Sequence, residues 1–111
     1  MSRPIIAGYE WRQRVRAIAS PPLFPVGCTL TGQVRASASS AEVLATVSTA
    51  TGTITRVDDD TVELRLPAAD SAAWRLREVV CDLVRTDTTP DLHCGFRLRI
   101  RVVQPVTRGL P

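Results

Sequence analysis

The stretch "FRLRIRV", residues 96–102, alternates apolar side chains with arginines without a break. Side chains that alternate in this way point to opposite faces of a β-strand, so one face can be buried while the other meets water. We therefore predict a final strand over about 92–103 with an apolar core face. Its outer face carries what we call the C-terminal arginine row: Arg97, Arg99 and Arg101.

The same two-residue alternation recurs along the chain, whereas helical periodicity is almost missing. The cleanest short example is 61–66, where valine and leucine alternate with charged residues. Turn-forming segments recur at the spacing that is typical of an antiparallel β-sandwich. The pattern predicts an all-β fold of about seven strands, near 10–18, 28–36, 42–48, 53–57, 61–66, 77–86 and 92–103.

Three segments interrupt the alternation. "SPPLFP" (20–25) cannot lie inside a sheet because proline donates no ladder hydrogen bond, so we predict a loop or edge crossing. "DDD" (58–60) is typical of a solvated turn, because adjacent carboxylates repel one another. In "PAADSAAW" (67–74), proline can start a helical turn and alanine favours one, which predicts a short helical crossing between the two sheets.

The composition suits one soluble domain. The chain has 111 residues, 44% of them hydrophobic, and a net charge of +3 that is too mild to indicate a dedicated nucleic-acid binder. We find no signal peptide and no apolar run of the ~20 residues that cross a membrane, so we expect a protein made in the cytoplasm with no membrane partner. We divide it into an N-terminal arm (1–9), a β-sandwich (10–104) and a C-terminal tail (105–111).

Three cysteines and one histidine are the candidates for thiol or metal chemistry. No CxxC motif occurs, and His93 and Cys94 are neighbours that point to opposite faces of a strand, so they do not readily share a metal. Buried free thiols are the favoured interpretation. One alternative stays open: Cys28 on the second strand and Cys81 on the sixth both face inward, so a disulfide between the sheets is geometrically possible.

The sequence contains no catalytic constellation. It contains no pattern that would position a nucleophile beside a base. It also contains no phosphate-binding or zinc-binding motif. The carboxylates of 58–60 are an alternative divalent-cation site, but consecutive residues of an extended segment splay in alternating directions. We expect a protein that is not an enzyme and that needs no cofactor or metal.

Four segments together resemble small immunoglobulin-like proteins encoded among the structural genes of tailed phages and prophages. They are "IIAGYEWRQRV" (5–15), "VSTATGTITRVDDDTVELRLPAADSAAW" (47–74), "VVCDLVR" (79–85) and "RVVQPVTRG" (101–109). The resemblance is similar in kind to the N-terminal module of phage baseplate upper proteins. It implies an immunoglobulin-like β-sandwich and a virion protein that docks on the neck, tail or baseplate in several symmetry-related copies, as an adaptor or fibre anchor.

Two features depart from that family. Baseplate upper proteins continue into fibre-forming regions, whereas this chain stops at Pro111, so we expect a stand-alone neck, tail or head component. The last hairpin carries "TDTTPDL" (86–92) in place of the usual Asp-Gly turn, as expected for a loop reshaped by a partner. The partners implied are other phage structural proteins. The alternatives are a capsid decoration protein and a non-virion DNA-binding or regulatory module.

A second set of arginines alternates on the first predicted strand. We call it the N-terminal arginine row: Arg12, Arg14 and Arg16. Because first and last strands can lie close together in an immunoglobulin-like sandwich, the two rows could merge into one basic face. Three interpretations remain open: solvated strand faces, a face for an acidic protein, or a DNA-binding face. DNA is the least favoured, because no helix is present to enter a groove and aromatic residues are few.

Overall fold

Eight β-strands and one short helix follow one another in a computed structural model that describes residues 2–108. None of the helical structure in this range is long and apolar enough to span a bilayer. The elements are β1 (Ile5–Ile6), β2 (Trp11–Arg16), β3 (Leu30–Arg35), β4 (Ala45–Ser48), β5 (Ile54–Asp58), β6 (Thr61–Leu66), α1 (Ala68–Ser71), β7 (Glu78–Arg85) and β8 (Leu92–Val103).

The strands form two sheets. One has the order β1-β8-β7-β3-β4 and the other the order β2-β6-β5. Only β1 runs parallel to its neighbour within the described range; the other pairs are antiparallel. This is the strand order of an immunoglobulin-like sandwich. In the lettering of that fold, β2, β6 and β5 take the places of strands B, E and D, and β8, β7, β3 and β4 take those of G, F, C and C′. The predicted all-β sandwich with a short helical crossing is confirmed.

The core lies between the sheets and is built by the alternation. In β6, Val62, Leu64 and Leu66 are buried, whereas the residues between them are only partly buried. Fully burying a side chain of this kind contributes roughly 1.5–3 kcal/mol. The facing sheet supplies Leu83 and Ile100, so the inward residues of both sheets meet in one apolar layer.

The helical crossing is fixed at one end of the sandwich. It carries the chain from β6 of one sheet to β7 of the other, as the sequence predicted. Ser71 in α1 is fully buried, and its hydroxyl accepts a hydrogen bond of 3.0 Å from the Gly8 amide. The Trp74 carbonyl accepts one of 2.8 Å from the Gln104 side chain, so the segments that follow β1 and β8 are both tied to the crossing.

The first strand was not predicted. Residues 1–9 were expected to form an arm, but Ile5 is only 1% exposed and packs in the core. It lies in β1, which pairs with Val102 and Val103 at the end of β8. Two residues are too few to show an alternation, so only the tertiary packing reveals this strand. Residue 1 of the predicted arm and 109–111 of the predicted tail lie outside the described residues.

The disulfide between Cys28 and Cys81, which the sequence left open, does not form. Cys28 precedes β3, and β3 pairs with β7 in the same sheet. Leu30 lies opposite Arg85, which is four residues, or about 13 Å, along β7 from Cys81. A disulfide needs Cα atoms within about 7 Å, and all three cysteines are free.

Candidate docking surface

The two arginine rows lie on opposite sides of the molecule. The N-terminal row projects from β2 in the three-stranded sheet, and the C-terminal row from β8 in the five-stranded sheet. All six arginines are exposed. Since the outer faces of the two sheets point away from each other, the prediction that the rows merge into one basic face is wrong.

Carboxylates of its own sheet face neutralise most of the N-terminal row. Arg12 contacts Glu10 at 3.2 Å and Glu63 at 3.1 Å, and Arg14 contacts Glu63 at 3.5 Å. The hydrogen bond from Arg12, with the nearby charge of Arg65, holds the pKa of Glu10 below its ordinary value. Only Arg16 of this row makes no ion pair with another described residue, so the row has local partners.

The C-terminal row has fewer partners. Arg99 contacts Glu78 at 3.5 Å, and both side chains are largely exposed. Arg97 lies directly across from Asp82, yet neither Arg97 nor Arg101 makes an ion pair with any residue in the range 2–108. Two guanidinium groups on β8 therefore remain free to bind an external anion.

A histidine pairs with the carboxylate that lies across from Arg97. His93 Nε2 lies 2.8 Å from Asp82 Oδ2, and His93 Nδ1 accepts a hydrogen bond of 2.8 Å from the Gly95 amide. Because Nδ1 is the acceptor, the proton of the neutral imidazole resides on Nε2 and is donated to Asp82. The ring is exposed and the neighbouring Cys94 is buried, as their alternation predicted.

A β-bulge makes this contact possible. The register of β7 against β8 shifts between Asp82 and Val84, and Gly95 has a φ of +85°. Glycine adopts this left-handed conformation without the steric cost of a side chain. The bulge therefore brings His93 next to Asp82 instead of continuing a regular ladder.

A surface concavity of about 190 Å³ borders the row on the same sheet face, with Gln33, Arg35, Val80 and Arg97 in its lining. Arg35 is held in place, because it donates to Gln33 at 2.7 Å and to the carbonyl oxygens of Ser40 and Ala41. This part of the face was not predicted from the sequence. The signal was present, since glutamine and arginine alternate with valine along β3.

The remaining candidate groups are used locally. Asp58 accepts a hydrogen bond of 2.8 Å from the Asp60 amide, which lowers the pKa of Asp58, while Asp59 pairs with Arg56. Across residues 2–108, no three His, Cys, Asp or Glu side chains lie close enough together to hold a metal ion. Burial raises the pKa of Cys81 to about 12, so its thiol is a poor nucleophile near neutral pH.

Comparison with known proteins gives no family. No protein-family model matches the chain, and no curated protein matches it. The resemblance to phage structural proteins therefore stays a prediction, and the case for a docking surface rests on the geometry of β8 and its neighbours.

Proposed function

We propose that this chain is a non-enzymatic structural component of a tailed bacteriophage virion. It docks on the neck, tail or baseplate in several copies, as an adaptor or a fibre-anchoring protein. The phage assignment is supported by the four sequence segments described above, and the sandwich fold agrees with what they imply. The partners are other phage structural proteins.

The observation that carries a docking role is the pair of unpaired guanidinium groups, Arg97 and Arg101, on the outer face of β8. Arginine binds carboxylates through two parallel hydrogen bonds and loses its hydration more easily than lysine, so it suits protein interfaces. The N-terminal row shows the contrast, because its arginines are mostly paired within their own sheet.

The partner of this face is a protein rather than DNA. Glu78 and Asp82 lie directly across from Arg101 and Arg97, so carboxylates are interspersed among the guanidinium groups. The one helix in residues 2–108, α1, lies at the crossing between the sheets and not on β8, so this face has no helix to enter a DNA groove, whereas a protein surface can match a mixed pattern of charges. This face would serve equally well in a capsid decoration protein, which differs only in where it docks.

The test is to purify phage particles that encode the chain and to measure its copy number against a major structural protein. A fixed ratio is expected. Replacing the C-terminal row by serine, in Arg97→Ser, Arg99→Ser and Arg101→Ser together, should lower the occupancy. The matched control is the same replacement of the N-terminal row, which should leave it nearly unchanged. Particles that lack the chain altogether would contradict the virion assignment.

A further inference from the structure

One edge of the five-stranded sheet is open along most of β8. β1 covers only Val102 and Val103, and among residues 2–108 no other strand pairs on that side. The chain before β1 does not continue along β8. The Arg3 amide donates instead to the Gln13 side chain at 2.7 Å, and the Arg3 carbonyl accepts from the Trp11 indole at 2.9 Å.

The backbone groups that face this open edge belong to the arginines. The Val102 amide donates to the carbonyl of Arg77, which directly precedes β7, at 2.8 Å. The backbone N–H and C=O groups of Val102 therefore point toward β7 and away from the open edge. Residues of an antiparallel strand alternate in the direction of their backbone groups, and therefore Leu98 and Ile100 also point toward β7. The N–H and C=O groups of Arg97 and Arg99 point the other way, to the open edge.

A second copy of the chain does not fit this edge. If two β8 strands paired antiparallel, the arginines of one would lie directly opposite those of the other. Like charges directly opposite each other destabilise a strand pair. The same row of positive charges also protects the edge against indiscriminate pairing, as charged side chains do on natural edge strands.

We infer that the β8 edge over 95–101 accepts an extended acidic segment of another protein, which adds to the sheet as a further strand. Backbone hydrogen bonds form with Arg97 and Arg99, and carboxylates at alternate positions of the segment meet the arginine row. The inference deepens the docking role proposed above by naming the form of the partner. The bulge at Gly95 ends the straight edge on one side, and β1 ends it on the other.

The first test is amide hydrogen exchange followed by NMR on the intact protein. In the free protein, the amides of Arg97 and Arg99 should exchange quickly, whereas those of Leu98 and Ile100 should be protected by β7. The probe is a peptide of about seven residues that alternates glutamate with valine. Its addition should protect Arg97 and Arg99, and a peptide of the same pattern with lysine should not.

Two variants separate the backbone contact from the charge. Arg99→Ser removes the guanidinium and keeps the amide, whereas Arg99→Pro removes both. Proline is tolerated at this position because the Arg99 amide is not used by β7. We expect Arg99→Pro to bind the glutamate peptide about tenfold more weakly than Arg99→Ser, the scale of one lost backbone hydrogen bond that leaves its partner unpaired. A glutamate peptide that is N-methylated on the backbone amides facing β8 cannot donate to this edge, and it should also bind more weakly.

Several outcomes would overturn strand addition: no binding of the glutamate peptide, no new protection at Arg97 and Arg99, or equal binding by the N-methylated peptide. Equal binding by Arg99→Pro and Arg99→Ser would do so too. The virion assignment fails separately. If purified particles lack the chain but the glutamate peptide protects these two amides, the edge binds acidic strands and only the location is wrong.

Discussion

The two faces of β8 can be changed independently by substitution, so the core and the proposed docking surface can be tested separately. Ile100 faces the core and is only 2% exposed, whereas the C-terminal arginine row faces outward on the same strand. Ile100→Ala should therefore lower the free energy of unfolding and leave the proposed docking groups unchanged. Leu98 also faces inward, but it is only partly buried, so Ile100 gives the clearer signal.

The cost of Ile100→Ala follows from what the side chain buries. Three buried carbon atoms are lost, at about 0.8 kcal/mol each, which gives about 2.4 kcal/mol of transfer free energy. The cavity that remains raises the total to about 3–4 kcal/mol. At about 4–5 °C per kcal/mol for a domain of this size, the Tm should fall by roughly 12–20 °C.

Replacing all three outer arginines by serine should behave in the opposite way. The only ion pair lost among the described residues is that between Arg99 and Glu78, at 3.5 Å and largely exposed. Its loss and the surface changes together should alter the free energy of unfolding by about 1 kcal/mol or less. Thermal unfolding followed by circular dichroism, beside particle occupancy, measures both effects. A triple serine variant that melts and assembles like the wild type would refute the docking argument.

Three further predictions concern stability and thiol chemistry. The hydrogen bond from Arg85 lowers the pKa of Asp87 to about 2, below its value of about 3.9 in the unfolded chain. The pair therefore makes its full contribution to the free energy of unfolding above pH ~4, and this contribution is lost as the pH falls toward 2. Asp87→Asn should flatten the decrease in Tm over that range, and an unchanged pH profile would contradict the pairing. A Cβ on Gly32 would lie 2.8 Å from the Asp82 carbonyl oxygen, so Gly32→Ala should cost about 1–3 kcal/mol in chemical denaturation. The denatured chain should titrate three thiols without reductant, and the native chain should react slowly at Cys81; a single reactive thiol after denaturation would show a disulfide instead.

Alternation along single strands predicted most of the fold because it depends only on local sequence. The predicted strands 61–66 and 92–103 have the same bounds as β6 and β8. The helical crossing was predictable because proline can start a helical turn and the alanines that follow it favour one. In contrast, β1 is held by parallel pairing to the far end of the chain, and no local pattern records such a contact.

The site was predictable only in part, for a related reason. Alternation places Arg97, Arg99 and Arg101 on an outer face, and they are exposed there. It does not say which sheet a strand joins, so the merging of the two rows was predicted wrongly. The contact between His93 and Asp82 depends on the bulge at Gly95, and a glycine inside a predicted strand was the available signal for it.

The packing of β8 also determines how a partner would bind. Ile100 and Val102 fix the strand in the core, and β7 pairs along most of its length, so the backbone groups at the open edge are ordered before any partner arrives. On the backbone, only the incoming segment then loses conformational entropy on binding, which favours a partner that is already extended. The attraction between its carboxylates and the arginine row acts across exposed side chains, so added salt should weaken it. The backbone hydrogen bonds depend much less on salt, and binding to β8 should therefore weaken with salt but persist, whereas purely electrostatic docking would be abolished.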